Sequence, residues 1–233
     1  MIVAARTLAP GHPWLSPGER ARLAVMRPAR AAEFTTGRVL ARALVAAATG
    51  SAPADVTIDI RPPGDPRAGM PWTPDADGGI SIAHSGGVVL AAYRPEGDVG
   101  VDVEAGMDAA STDAVADYLP AAERPERGWD AATLATAWVR REAVLKCLGA
   151  GLVPAPDRLT LAPADAAPAV VACALDPTAR LVLVDLDVGG LPGALVVRAE
   201  GVGIPSLPEA VDVGALVPGA EGVGIRLSVS VGV

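Results

Sequence analysis

Val99-Gly100-Val101-Asp102-Val103-Glu104 and Trp138-Val139-Arg140-Arg141-Glu142-Ala143-Val144-Leu145-Lys146 are the two stretches around which this chain is organised, with Glu142 forty residues beyond Asp102. The first alternates as a strand does. With a side-chain period of two, Asp102 and Glu104 project from one face while Val101 and Val103 project from the other. Adjacent carboxylates repel, and a hard divalent cation, most often Mg²⁺, relieves that repulsion when phosphate oxygens and water complete its shell. An exposed acidic strand edge has the same appearance. Asp185-Leu186-Asp187 repeats the pattern without a helical acid and lysine after it, and reads as structural or solvent-facing.

The second stretch belongs to a helix expected from about Ala131 to Leu148, stopped by Gly149 and Gly151 with Pro154 and Pro156 beyond. At about 100° per residue, Leu134, Ala137, Trp138, Val144, Leu145 and Leu148 share one stripe, and Glu142 and Lys146 lie together at its margin. Their i, i+4 spacing allows a salt bridge. Arg141 falls inside the stripe, where a charge is costly unless it reaches water or a bound anion. Three ionisable groups beside one packed face point to a helix lining a ligand cleft. Lys146 is the only lysine, beside eighteen arginines, in a chain without Asn or Gln. A compact ammonium differs from a planar guanidinium where a point charge must fit a phosphate, which gives a chemical reason for the exception.

Upstream, Pro17 to Thr49 is helical in pattern: Ser16 and Glu19 match a capping box, Phe34, Val39, Leu40, Ala43 and Leu44 supply an apolar face, and Pro28 divides the region in two. Arg20, Arg22, Arg27, Arg30, Arg38 and Arg42 make it the most basic part of the chain, either as solvated surface or as an anion-binding face. Val56 to Ile60 is a short strand candidate, followed by a loop over Arg61 to Gly69. Gly86-Gly87 sits as a two-residue hairpin turn between Ile80–Ser85 and Val88–Tyr93. Asp108 to Leu119 is a candidate helix, and Pro120 to Gly128 links it to the next. Ala169 to Leu175, Leu181 to Val188 and Ala194 to Val197 read as strands. Gly201 to Val233 is rich in Gly, Val and Pro, shows no chemistry, and is expected to be a C-terminal extension of uncertain order.

At 233 residues and 51% hydrophobic composition the chain can bury a full core as one large domain or two small lobes. A net charge of −8 argues against a general nucleic-acid binder. Cys147 and Cys173 suit neither a disulfide framework nor a zinc site and are expected as reduced thiols of a cytoplasmic protein. Met1 to Gly11 lacks the pattern of a secretory signal, and no uncharged run suits a bilayer-spanning helix. His84 stands near Ser81 and Ser85, yet without a G-x-S-x-G elbow or a third triad member serine hydrolysis is set aside.

Taken in order, these segments resemble the 4′-phosphopantetheinyl transferases of the type that activates nonribosomal peptide and polyketide synthases, over about residues 14 to 200. The specific parts are Val99 to Glu104 and Trp138-x-x-Arg141-Glu142-Ala143-x-x-Lys146-x-x-Gly149-x-Gly151-Leu152, supported by Ile82-Ala83-His84-Ser85-Gly86-Gly87 and Arg30-x-x-Glu33-Phe34-x-x-Gly37-Arg38. The resemblance implies an α+β fold of two similar, pseudo-symmetric lobes, residues 1–98 and 99–200, with coenzyme A between them and 201–233 outside. It implies Mg²⁺-dependent transfer of the phosphopantetheine arm of coenzyme A to a serine of an apo acyl or peptidyl carrier protein, as a holo-[acyl-carrier-protein] synthase does, releasing adenosine 3′,5′-bisphosphate. Carried over by position, Asp102, Glu104 and Glu142 would hold Mg²⁺, and Lys146 and His84 would contact the phosphates. Glu142 would also be the general base, directly or through a metal-bound water. Arg30 and Arg38 would take the 3′-phosphate, with Ser85 and Arg141 also at coenzyme A. A monomer without nucleic-acid or membrane partners is expected.

Two positions depart from the family pattern: Arg141 stands where lysine is usual, and Met70 where a basic residue commonly precedes the proline, leaving Arg67 as its nearest replacement. A non-catalytic binding module for coenzyme A or carriers, and a metal-dependent pyrophosphate hydrolase, are the alternatives that the same residues allow. The carrier itself, whether of siderophore, polyketide, peptide or fatty-acid assembly, is not specified. Pro120 to Gly128, lying between the two motifs, is the segment expected to meet it.

Overall fold

In the computed structural model, which describes residues 1–151, 155–199, 207–220 and 222–230, the chain begins as strand β1 (Ile2–Arg6) and then forms two helices divided at Pro28. Helix α1 (Pro17–Leu23) starts in a complete capping box: Ser16 Oγ accepts from Glu19 N–H at 3.2 Å, and Glu19 Oε2 accepts from Ser16 N–H at 2.8 Å. Helix α2 (Pro28–Thr49) opens on proline, whose fixed φ and missing N–H suit a first turn, and closes on Gly50 at φ 75°. Strands β2 (Asp59–Ile60) and β3 (Pro71–Trp72) form a short antiparallel pair. The strand expected over Val56 to Ile60 is thus shorter. Val56 and Ile58 are buried in the core, and Thr57 N–H goes to Asp75 Oδ2 instead of a ladder.

Strands β4 (Gly79–Ser85) and β5 (Val88–Arg94) pair in register from Gly79 opposite Arg94 to Ser85 opposite Val88. Gly86 and Gly87, at φ 57° and 77°, supply the two left-handed positions that a tight hairpin turn requires. After β6 (Val99–Val103), Asp108 caps α3 (Ala109–Tyr118), and a short turn of 3₁₀ helix (Ala121–Glu123) leads towards α4 (Ala131–Leu148). Asp130 and Thr133 cap α4 reciprocally, and Gly149 ends it at φ 68°. Then follow β7 (Leu159–Leu161), β8 (Val170–Cys173), β9 (Arg180–Val188), β10 (Leu191–Ala199), α5 (Val213–Leu216) and β11 (Leu227–Ser230).

The fold is α+β, with antiparallel sheets and, among the described residues, five α-helices. Its two larger sheets run β1-β5-β4 and β11-β9-β10-β6, and β7 pairs with β8. Alternation along the strands explains the layering. Val3, Ala5, Val89, Ala91 and Tyr93 pack with α2, whereas Ile2, Ala4, Leu90 and Ala92 turn to the second sheet and meet Val101, Val103, Leu186 and Leu195. The other face of that second sheet, with Leu183, Ala194 and Val196, is covered by Val139, Ala143 and Val144 of α4. The order is therefore helix, sheet, sheet, helix. β5 reads as an unbroken apolar run because both its faces are buried.

The two sheets also meet along β4 and β6, where Val101 N–H donates to Ser81 Oγ at 3.0 Å. The segment expected as a C-terminal extension is packed into the fold where it is described. β11 adds to β9, Val211 N–H bonds Ile2 O at 2.9 Å, and Val213, Val217 and Ala220 are buried against α2. Leu152, Pro154 and residues 201–206, 221 and 231–233 of the sequence expectations lie outside the described residues. Among those described, no helix is long and apolar enough to cross a membrane.

Candidate functional site

Gly100 determines how closely β6 can approach α4. A Cβ built there would stand 2.0 Å from Ala143 O and 2.5 Å from Cys147 N, so only glycine lets the strand lie against the helix backbone. Asp102, two residues on, projects from the same face, towards the polar margin of α4. Lys146 Nζ donates to Asp102 Oδ1 at 2.6 Å. The lysine is thus paired across to the strand, not with Glu142 on its own helix. Glu142 Oε1 is left buried with no hydrogen-bond partner.

The electrostatics follow from this arrangement. Burial pushes the Asp102 carboxyl above its usual range, against the opposing pull of the Lys146 charge and hydrogen bond. Burial likewise raises Glu142, and the nearby Asp102 charge adds to that rise while Lys146 opposes it. A carboxyl held in this way binds its proton more tightly than an exposed one. That is the property a proton acceptor near neutral pH needs.

Glu104 is engaged differently. Its Oε1 accepts from Ser85 Oγ at 2.9 Å and from Gly106 N–H at 2.8 Å, while Ser85 Oγ accepts from Ala105 N–H at 3.0 Å. Ser85 and Glu104 therefore tie the end of β4 to the turn after β6. Among the described residues, no three His, Cys, Asp or Glu side chains come together as a metal-holding group. The oxygen donors suit a hard cation, and Glu142 Oε1 is unpartnered. Even so, Lys146 holds Asp102, and Ser85 and Gly106 hold Glu104, so the three expected ligands do not fit a preassembled three-carboxylate magnesium site.

Beside Glu142 and Lys146 opens a pocket of about 330 Å³, walled opposite them by Met70, Pro71 and Ile82. A Cβ on Gly149 would stand 2.6 Å from Met70 Sδ, so the thioether closes over the end of α4. Met70 thus supplies an apolar wall where a basic residue was the family expectation. Arg67, the proposed replacement, forks onto Asp98 at 2.5 and 2.6 Å.

A second pocket of about 240 Å³ adjoins the first, since Gly69, Pro71 and Ile82 line both. Arg22, Arg30, Glu33, Phe34, Arg38 and His84 complete it. Arg30, with half its side chain exposed, reaches His84 Nε2, and His84 Nδ1 lies 3.2 Å from Glu33 Oε2. Burial holds the His84 pKa below its usual value, helped by the charges of Arg30 and Lys146 and opposed by Glu33. Arg22 and Arg38 stack over Phe34 at 5.0 and 5.2 Å.

Arg38 lines this pocket, but its guanidinium is largely committed elsewhere. It donates to Ile58 O at 3.2 Å and lies 3.4 Å from Glu19 Oε1, with only 7% of the side chain exposed. Burial holds its pKa below the usual arginine value. Exposed Arg22 is the more accessible second cation. It was visible in the sequence only as one of six arginines, and its stacking on Phe34 depends on how α1 meets α2.

Arg141, expected at coenzyme A, is fully buried: it bonds Glu123, Pro156 O at 2.9 Å and Leu159 O at 2.8 Å. Its charge is compensated by a buried carboxylate, Glu123, on the segment before α4. A bound phosphate would have no access to it. Asp185 accepts from Arg140 at 2.8 and 2.7 Å, and Asp187 Oδ1 accepts from Gly190 N–H, so both acids of the second D-x-D pattern serve structure.

The structure therefore brings Glu142 and Lys146 to one pocket, with Asp102 bonded to Lys146 outside its lining, and Arg30, Arg38 and His84 to its neighbour. Ser85 and Glu104 are bonded to each other and line neither pocket, and Arg141 is elsewhere. Comparison of the chain with protein-family models and with curated proteins finds no match in either.

Proposed function

We propose that the chain is a 4′-phosphopantetheinyl transferase, moving the phosphopantetheine arm of coenzyme A onto a serine of an apo acyl or peptidyl carrier protein and releasing adenosine 3′,5′-bisphosphate. One observation carries the reading. An unpartnered, buried Glu142 Oε1 and the lone lysine border one pocket while Arg22, Arg30 and His84 line the pocket beside it. A proton acceptor next to a place for several phosphates is what transfer from a nucleotide pyrophosphate to a hydroxyl needs.

In the proposed reaction the serine Oγ attacks the phosphorus bearing the pantetheine arm, and the bond from that phosphorus to the bridging pyrophosphate oxygen breaks. Glu142 accepts the serine proton, for which its raised proton affinity suits it. Lys146 leaves Asp102 for the phosphate oxygens and offsets the charge that builds on the leaving group. Arg30 and His84, with Arg22, hold the 3′-phosphate side. Mg²⁺ is proposed as the companion ion of the pyrophosphate, arriving with it; for Asp102 and Glu104 to join Glu142 as ligands they would have to give up Lys146, Ser85 and Gly106. α2 with its sheet and α4 with its sheet would be the two related lobes, and the cytoplasm the setting.

A second reading, a non-catalytic module that binds coenzyme A, is favoured by one observation: Lys146 already neutralises Asp102, and among the described residues no three carboxylates converge. Incubation with coenzyme A, Mg²⁺ and a panel of apo carriers separates the two. The transferase releases adenosine 3′,5′-bisphosphate in step with carrier modification; the module binds coenzyme A, seen by calorimetry, and releases none with any carrier.

A further inference from the structure

Glu33 lies one helical turn after Arg30 on α2, and both side chains meet His84, which projects from β4. Arg30 can only donate, so the imidazole nitrogen it reaches, Nε2, must accept. Nδ1 then carries the proton and lies 3.2 Å from Glu33 Oε2. The ring is therefore neutral, and its lone pair is spent on Arg30. A neutral Nε2 acceptor cannot donate to a phosphate.

We infer that Glu33 is a positioning residue that fixes His84 as the Nδ1–H tautomer, so that a phosphate entering the pocket takes over Arg30 and binds together with one proton on His84 Nε2. This rests on the reading of the pocket as the site of the ligand's 3′-phosphate. The atoms balance simply: the Arg30 to Nε2 contact breaks, Nε2 takes a proton from solvent, and the imidazolium donates to the phosphate through Nε2 and to Glu33 through Nδ1. Glu33 supplies the negative charge that keeps the doubly protonated ring in place. The charges facing His84 are Arg30 and Glu33 from α2 and Lys146 from α4. Both cations disfavour the imidazolium until a phosphate neutralises them. Burial acts in the same direction and favours the neutral ring.

The chain has two histidines, so nitrogen-detected NMR of the whole protein follows His84 with His12 as an internal reference. The probe is adenosine 3′,5′-bisphosphate, titrated into wild-type, Glu33→Gln and His84→Gln proteins over a pH series. Expected for the wild type are an Nδ1–H signal from the free protein, protonation of both nitrogens on binding, and affinity that weakens by up to about tenfold per pH unit as pH rises. Glu33→Gln should keep binding but lose the Nδ1–H preference and flatten the pH dependence, and His84→Gln should abolish that dependence. Binding to wild type that leaves His84 neutral overturns the inference alone. No binding to wild type at any pH overturns the phosphate reading of the pocket as well.

Discussion

Lys146 Nζ of α4 stands 2.6 Å from Asp102 Oδ1 of β6, and this pair joins the two stretches of sequence that carry the proposed chemistry. Lys146 keeps 31% of its side chain exposed against 10% for Asp102, so the ammonium is positioned to move and the carboxylate is not. Removing the cation from Asp102 would leave a buried charge unpartnered, a cost that an incoming ion or phosphate network must meet.

Lys146→Arg should fold normally, since the side chain is partly exposed, yet lower turnover by about a hundredfold. A planar fork cannot take the place of a compact ammonium without displacing the reacting groups by about 1 Å. Steady-state kinetics with one modified carrier checks this. Near-normal turnover would mean that any cation suffices.

Gly100→Ala should destabilise the chain by roughly 1–3 kcal/mol or more, because its methyl group would press on the backbone of α4, which has no rotamer with which to yield. Urea unfolding followed by circular dichroism measures the loss. The variant should also lose activity even when folded, as β6 would carry Asp102 away from Lys146.

Asp102, Glu123 and Glu142 all have carboxyls raised above their usual range, burial being the largest cause in each. Each binds its proton more tightly folded than unfolded. Their contribution to stability is therefore complete at pH values below the ordinary carboxylate range and is lost as pH rises through the raised pKa values. The helix-capping Asp108 and Asp130, held low by backbone N–H groups, act in the opposite sense and at lower pH. Glu142→Gln should lessen the fall, stabilising the chain at neutral pH by about 1 kcal/mol while removing turnover. Denaturant titrations at a series of pH values, on both proteins, read the difference.

Glu123→Leu should cost about 3–5 kcal/mol, since it strands the Arg141 guanidinium in the core. Adding Arg141→Met to it should recover most of that loss. Coenzyme A affinity in the folded double variant should match wild type by calorimetry, because Arg141 faces Glu123 and two backbone carbonyls. A tenfold loss of affinity would restore Arg141 to the binding site.

The elements legible in the sequence were those specified locally. Ser16 and Glu19 are three residues apart, and Gly86 and Gly87 are adjacent, so each motif contains its own geometry. The α-helical spacing of Glu142 and Lys146 is equally local, but it leaves the lysine's partner open. That partner is Asp102, forty-four residues before Lys146, reached through a strand-to-helix approach that depends on Gly100. Arg141 was recognised as a charge in an apolar stripe, but its partner Glu123 lies eighteen residues away in a segment without periodicity. The C-terminal valines carried no pattern of their own. Their place against α2 follows from β1 being available to bond Val211.

Intact-mass measurement of an apo carrier after incubation with this protein, coenzyme A and Mg²⁺ tests the central claim most directly. The carrier should become heavier by one phosphopantetheine arm with wild type, and should stay unchanged with Glu142→Gln or when the carrier serine is replaced by alanine. Unchanged mass across peptide, polyketide, siderophore and fatty-acid carriers would contradict the account.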